Sequence, residues 1–181
     1  MCLTYAMRLA LGGIFLISSY SKLQYPSIFT DTVVNYGLLP ENLSRAYGIA
    51  LPWVELFVGC SLVLGVFSRI VPLISILITA SFIAANVNGI LHPYIGDTCK
   101  CLGTLVSLSH PISLGIDFAM MLMSGWLLLQ YDSSEFLSIG YLLRRFDRGL
   151  GKRQKFLLEK IGGIIMVALL MSLIVIVAPF N

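Results

Sequence analysis

The sequence predicts an all-α polytopic membrane protein, a helix bundle, from its composition, its segment lengths and the placement of its charges. Of the 181 residues, 57% are apolar and only 12% are charged, and the mean hydropathy is +0.90. An ordinary soluble domain carries roughly 25% charged residues. A chain of this size cannot bury so much apolar surface in one core, so the hydrocarbon of a bilayer must surround it.

Five apolar segments come close to the roughly 20 residues that a membrane-spanning helix needs. They cover residues 5–20, 46–67, 70–91, 111–131 and 161–180. More polar segments separate them over residues 21–45, 68–69, 92–110 and 132–160. We therefore divide the chain into a four-helix membrane core over residues 1–131, a basic segment over residues 132–160, and a fifth, C-terminal transmembrane helix over residues 161–181.

The distribution of basic residues predicts how the bundle is oriented. Residues 132–160 hold seven of the twelve Lys and Arg residues, and basic loops stay on the cytoplasmic side of a membrane. The N-terminus then lies inside, whereas the 92–110 loop and the C-terminus lie outside. This topology accounts for the net charge of +3, so we predict membrane lipid, and not nucleic acid, as a partner. The basic segment also fits an interfacial helix on anionic lipid.

Cys99 and Cys101 are the strongest candidates for chemistry among the four cysteines. They flank Lys100 in the predicted outer loop, in a compartment that permits disulfides. A disulfide between cysteines two positions apart closes a very small ring, and strained, exposed disulfides suit thiol exchange better than structural stapling. Lys100 favours a thiolate, whereas Asp97 opposes that effect or accepts a proton. Cys60, inside the second span, is interpreted as a small buried apolar residue.

A soft metal ion is the alternative partner of the cysteine pair. Two thiolates at this spacing suit Cu(I), zinc or mercury, and a complete zinc site needs two more ligands. His92 and His110 are the only histidines in the chain, and both flank the cysteine loop. The alternative metal site is therefore Cys99, Cys101, His92 and His110.

Four polar residues fall within or beside the predicted spans, at the depth of the outer leaflet: Lys22, Glu55, Asn86 and Asp117. Ionisable groups inside spans mark functional sites by default, and an ion pair between Lys22 and Glu55 would lower the cost of burying either one. Two interpretations stay open. The groups hold the helices together through hydrogen bonds, or they line a pocket for an apolar electron carrier, with Glu55 or Asp117 handling protons.

Four motifs, in this order and spacing, resemble the DoxX/MauE superfamily of small membrane proteins. They are SKL at residues 21–23, YGLLP at 36–40, LPWVEL at 51–56 and DTCKCLG at 97–103. The resemblance is to the MauE branch, the membrane protein of methylamine-utilisation clusters, and it covers roughly residues 5 to 131. It implies a four-helix DoxX-like core in a bacterial cytoplasmic membrane, with Cys99 and Cys101 at the family's paired cysteines. Residues 132–181 extend beyond that core.

The resemblance also implies a redox-associated function. The MauE branch is associated with maturation of disulfide-rich periplasmic proteins beside a thioredoxin-like partner, and DoxX-type relatives are linked to thiosulfate or quinone redox. We therefore predict a membrane-embedded thiol–disulfide redox protein, a candidate oxidoreductase with catalytic residues Cys99, Cys101 and Asp97. Its partner is a thioredoxin-like or disulfide-containing extracytoplasmic protein, and a quinone is the candidate cofactor. A soft-metal-binding membrane protein and a non-catalytic assembly scaffold are the alternatives.

Overall fold

The apolar segments form long α-helices in a computed structural model that describes residues 2–67, 69–92, 98–99, 108–130 and 161–172. The elements, in chain order, are α1 (Cys2–Gln24), α2 (Pro26–Asn35), α3 (Glu41–Leu64), α4 (Ile70–Leu91), β1 (Thr98–Cys99), β2 (Leu108–Ser109), α5 (His110–Leu129) and α6 (Ile161–Ser172). Helices α1, α3, α4 and α5 are long and apolar enough to cross a membrane. This confirms the predicted all-α membrane bundle and, by length and composition, four of its five predicted spans.

The four long helices form an antiparallel ring. Helix α1 packs mainly on α3 and α4 mainly on α5, and contacts between α1 and α5 and between α3 and α4 close the ring. At one end, Thr4 near the start of α1 donates a hydrogen bond of 2.8 Å to Gln130, which follows α5. The opposite end joins the end of α1, α2, the end of α4, the two short strands and the start of α5. We call it the strand end.

Two glycines let α1 and α3 approach each other closely. A Cβ atom built on Gly12 would lie 2.9 Å from Val63 and 3.1 Å from the carbonyl oxygen of Gly59. A Cβ atom on Gly59 would lie 2.9 Å from Leu16. Small residues at such crossings give membrane helices the van der Waals contact that drives their association, because lipid tails are as apolar as the side chains. The α1–α3 pair is therefore the closely packed pair on which the strand-end site is built.

The predicted connection over residues 21–45 is more helical than expected. Helix α1 continues to Gln24, past the predicted limit at residue 20, because its polar residue Lys22 finds a buried partner inside the bundle. Pro26 at the first position of α2 suits a helix start, since that residue needs no donor N–H. Helix α3 begins at Glu41, before the predicted residue 46, and Arg45 bonds Glu41 one turn away.

The predicted fifth span is described only in part. Helix α6 begins at Ile161, where the sequence predicts it, and its Val167 is buried in one cluster with Leu56, Cys60 and Val66. Its twelve described residues are fewer than a membrane crossing requires, so the full span stays a prediction. The basic segment 132–160 lies outside the described residues. Cys60 is a buried free thiol, as predicted.

The glycine contact gives a matched test of helix packing. We expect Gly12→Val to lower the midpoint of thermal unfolding, because the added methyl groups meet the backbone of α3 and overpacking costs about 1–3 kcal/mol. The adjacent Gly13→Val is the control, since a Cβ atom there has nothing within 4 Å. Thermal unfolding of both purified variants in the same detergent measures the difference. Equal midpoints would contradict the close α1–α3 packing.

Candidate functional site

A fully buried ion pair joins α1 to α3 near the strand end. The Nζ atom of Lys22 lies 2.5 Å from Oε1 of Glu55, and neither side chain is exposed. Ser18, one turn earlier on the same face of α1, donates to Oε2 of Glu55 at 3.2 Å. Ser19 donates to the carbonyl oxygen of Pro52 at 2.8 Å. The predicted ion pair between Lys22 and Glu55 therefore forms. Ser18 and Ser19 add two hydrogen bonds from α1 to α3 beside it.

Two aromatic rings flank the Lys22 ammonium group. Its nitrogen lies 4.8 Å from the ring centre of Phe29 on α2 and 4.4 Å from the ring centre of Phe82 on α4. A cation within about 6 Å of a ring centre is attracted to the electron-rich face. One cation at the end of α1 therefore contacts side chains from α2, α3 and α4 together.

An asparagine links α4 to α5 beside this pair. The Nδ2 atom of Asn86 lies 2.7 Å from Oδ2 of Asp117 and 3.3 Å from Oγ of Ser113, and its Oδ1 lies 3.1 Å from Nδ1 of His110. Because an amide oxygen only accepts, Nδ1 of His110 donates. Asp117 also attracts Lys22 electrostatically. We name these connected residues the buried polar cluster: Lys22, Glu55, Asn86, His110 and Asp117.

His110 is held tightly at the start of α5. A Cβ atom at Gly89 would lie 2.4 Å from its ring, so α4 leaves no room for a larger residue there. The ring of Tyr36, at the end of α2, meets the imidazole edge to face at 6.5 Å between ring centres, and Asn88 donates to the Tyr36 carbonyl at 2.8 Å. Burial raises the pKa of the Tyr36 hydroxyl, so it stays neutral at physiological pH.

The backbone of Cys99 lies at the same end of the bundle. Strand β1 pairs antiparallel with β2, so that Cys99 stands opposite Leu108 and Thr98 opposite Ser109. Strand β2 leads directly into His110. The side chain of Cys99 and the residues Asp97, Lys100 and Cys101 lie outside the described part of the chain. Their predicted roles, and the pairing of the two sulfur atoms, stay predictions.

An apolar cavity lies next to the buried polar cluster. Its volume is about 230 Å³, and residues of α2, of the α2–α3 connection, of α3 and of α4 line it. Phe29 and Phe82 belong both to its wall and to the surroundings of Lys22. Several residues of the wall carry hydroxyl groups, and two of them, Tyr47 and Ser81, bond each other with their oxygens 2.5 Å apart. The aromatic rings therefore separate a buried charge from a space suited to an apolar ligand.

Both histidines of the alternative metal site have other contacts. The Nδ1 atom of His92 lies 3.1 Å from the carbonyl oxygen of Asn88, and that of His110 contacts Asn86. Among the residues that the structure describes, no three His, Cys, Asp or Glu side chains form a group suited to a metal ion. Because Cys101 and the Cys99 side chain fall outside that set, the metal hypothesis stays a prediction.

Several parts of the site were not predicted from the sequence. Ser18 and Lys22 are four residues apart, which places both on one face of a helix. The sequence therefore contained a signal that Ser18 lies beside the buried ion pair. Phe29 and Phe82 lie on different helices, and single apolar residues in apolar segments give no signal of a cation contact. His110 was considered only as a metal ligand, because its position against Gly89 depends on how α4 and α5 pack.

The fold and the site define a class: a small multi-pass α-helical membrane protein with a buried charged cluster and an adjoining apolar cavity. Within this class the family can be stated. The model of the methylamine utilisation protein MauE family matches residues 1–130, and the chain belongs to that family. The match covers the four-helix core and ends before the basic segment. No curated protein and no solved structure matches the chain.

The ion pair yields a prediction about folding. We expect Lys22→Met to destabilise the protein by about 3–5 kcal/mol, because it leaves the Glu55 carboxylate buried without its cation. The double variant Lys22→Met with Glu55→Gln should recover most of that loss, since no charge is then left unpaired. Thermal unfolding and the folded fraction on size-exclusion chromatography measure both effects.

An exposed ion pair serves as the control. Arg45→Met breaks the contact of Arg45 with Glu41, whose side chains are 52% and 65% exposed, and pairs of this kind contribute little. We expect its unfolding midpoint to match that of the parent. If Lys22→Met proved as harmless as Arg45→Met, the buried pair would not organise the bundle.

Proposed function

We propose that this protein is a membrane-embedded thiol–disulfide redox protein. Cys99 and Cys101 exchange disulfides with an extracytoplasmic thioredoxin-like or disulfide-containing protein, and Asp97 assists proton transfer. Electrons pass between the cysteine pair and an apolar carrier in the membrane, with a quinone as the candidate. The strand end faces outside, and residues 132–160 face the cytoplasm and precede a fifth span.

One observation carries this proposal: an apolar cavity and a buried polar cluster occupy the end of the bundle at which the Cys99 backbone lies. Ionisable groups inside a membrane protein are costly to bury and cluster at functional sites. An electron carrier dissolved in lipid needs apolar space, and its reduction needs nearby groups that bind protons. The apolar cavity supports the first requirement, and Glu55 and Asp117, which belong to the polar cluster behind the rings of Phe29 and Phe82, support the second.

The proposed reaction balances in electrons and protons. Two thiols that form a disulfide release two electrons and two protons, and a quinone that becomes a hydroquinone takes up the same number. Exchange with the partner protein transfers the disulfide between proteins with no net redox change, since a thiolate displaces a thiolate. The partner supplies or removes the disulfide, and the carrier supplies or removes the electrons.

Family membership agrees with this assignment. The family takes its name from methylamine utilisation, so we propose that the protein supports that process by maturing, or keeping in its redox state, an extracytoplasmic protein of the same pathway. The four apolar helices support a position of the cysteine pair at a membrane surface, where a periplasmic partner and a lipid-soluble carrier could both reach it.

Thiol trapping in intact cells tests the exchange reaction. In a background carrying Cys2→Ser and Cys60→Ser, only Cys99 and Cys101 can report. Cells are quenched with acid, and free thiols are tagged with a heavy maleimide before and after reduction. We expect the pair to be partly oxidised. With either Cys99→Ser or Cys101→Ser, we expect a mixed disulfide with a second protein on a non-reducing gel.

The remaining outcomes separate the alternatives. If both thiols stay free in an oxidising periplasm and neither single variant traps a partner, the redox proposal is wrong. Stoichiometric binding of Cu(I) or zinc that both single variants abolish would then favour metal handling. Full function of the double Cys99→Ser, Cys101→Ser variant would favour an assembly scaffold.

A further inference from the structure

A helix from beyond the family core covers the outer side of the α1–α3 pair. Helix α6 follows residues 1–130, which the family model matches, and its Val167 is buried in one cluster with Cys60 of α3. We propose that the outer side of α1 and α3 is the docking surface for this helix as far as the strand end, where the helix braces the ion pair of Lys22 and Glu55. Such a brace goes beyond the thiol chemistry proposed above and does not depend on it.

Helix α6 packs on the bundle through one side only. Its buried and half-buried residues recur at the spacing of one helix face: Gly162, Gly163, Val167, Leu170 and Met171. The opposite side is also apolar but exposed, as at Ile165 and Leu169. A helix that is apolar all round belongs in a hydrocarbon environment, so α6 has one face for the protein and one for lipid.

A glycine sets how closely α6 approaches the end of α3. A Cβ atom built on Gly163 would lie 2.6 Å from Cγ1 and 3.5 Å from Cβ of Val66. Val66 follows the end of α3, so α6 begins at the end of the bundle opposite the strand end. Helix α5 ends there too, where Gln130 accepts a hydrogen bond from Thr4. The chain between Gln130 and Ile161 therefore starts and finishes at the same end of the bundle.

The contacts of α6 advance toward the strand end. After Gly163 at Val66, the later residues of its packed face belong to, or lie against, a cluster that also holds Cys60, Leu56 and Leu23. Leu56 lies nearer the strand end than Cys60, and Leu23 lies one residue before the end of α1. Helix α6 therefore runs antiparallel to α3 and parallel to α1.

This cluster adjoins the ion pair along the chain. Leu23 follows Lys22 in α1, and Leu56 follows Glu55 in α3. Both leucines are buried. A helix packed on these leucines restrains the two backbone segments that carry the charged side chains, which is how α6 braces the pair.

The chain that follows α6 is long enough to reach the strand end. Residues 173–178 are apolar and carry no charge, so they suit the same environment as α6. Proline disfavours helical backbone in the residue before it, so Pro179 marks the expected end of the helix. A helix over residues 161–178 is about 27 Å long at 1.5 Å per residue, close to the roughly 30 Å of a hydrocarbon core.

The spacing in the sequence sets one residue of that extension level with the ion pair. Glu55 lies eleven residues before Val66. Ile174 lies eleven residues after Gly163. Both separations correspond to about 16.5 Å along a helix, so the contact at Gly163 sets Ile174 at the level of Glu55. Ile174 also continues the packed face, four residues after Leu170.

Disulfide cross-linking in the full chain tests the docking. All four native cysteines are first replaced by serine, so the outcome is independent of thiol trapping. Gly163→Cys with Val66→Cys reports the contact at the start of α6, because its Cβ atoms would lie 3.5 Å apart, within the range of a disulfide. Ile174→Cys with Leu23→Cys reports the extension. After oxidation in membranes, a heavy maleimide tags the remaining thiols, and we expect most of the chain to stay untagged in both pairs.

A residue on the far side of the helix supplies the matched control. Ile176 lies two residues from Ile174 and so on the opposite face of the helix. We expect Ile176→Cys with Leu23→Cys to give at least about fivefold less cross-link. Equal yields from the two positions, or no cross-link from either, would overturn the docking. A cross-linked dimer would assign this surface to the helix of a second copy instead.

A double-mutant cycle tests the brace. Gly163→Leu should displace α6, because the added side chain meets Val66, and lower the midpoint of thermal unfolding. Ala168→Leu, on the exposed side, should leave the midpoint unchanged. We expect Gly163→Leu to lower the midpoint at least about twice as far in the parent as in the Lys22→Met, Glu55→Gln variant, because displacement also disturbs the buried charges only in the parent. Equal losses in both backgrounds would overturn the brace.

Discussion

The ion pair between Lys22 and Glu55 is the interaction on which the strand end of the bundle depends. Each ion costs several kcal/mol to remove from water, even after the surroundings relax, and both are fully buried. The cost is tolerable only because the geometry is close and other groups contribute: Ser18 donates to the carboxylate, and two rings face the ammonium. The four helices α1 to α4 must therefore keep their relative positions for this pair to stay satisfied.

This requirement explains features that look unrelated along the chain. Gly12 and Gly59 allow α1 and α3 to approach, which brings Ser18 and Lys22 within reach of Glu55. Helix α2 folds back over the end of α1, because its Phe29 covers the cation. The same ring then forms part of a cavity wall. Close packing of α1 on α3 thus positions the Lys22–Glu55 pair, the pair positions Phe29, and Phe29 forms part of the wall of the apolar cavity.

The sequence predicts some of these features and omits others for physical reasons. Four spans follow from hydropathy, and the pairing of Lys22 with Glu55 follows from the cost of burying either alone. The extension of α1 through Lys22 was missed, because a lysine ends an apolar segment unless its partner on another helix is known. The carrier pocket was predicted along Lys22, Glu55, Asn86 and Asp117, whereas none of these four lines the cavity, whose wall is formed by other side chains from three helices and from the α2–α3 connection. Its hydroxyl pair, Tyr47 and Ser81, lies 34 residues apart in the chain.

The charges of the buried polar cluster also limit what the cavity can hold. Lys22 is neutralised by Glu55 at 2.5 Å and is further attracted by Asp117, while the rings of Phe29 and Phe82 cover it on the cavity side. An anionic ligand would therefore meet aromatic faces, which repel negative charge, before it met the cation. A cationic ligand would meet no carboxylate, because neither Glu55 nor Asp117 lines the cavity and the two are engaged by Lys22 and Asn86. A neutral ring carries no charge that needs such a partner, so it is compatible with this wall, and this supports the neutral carrier proposed above.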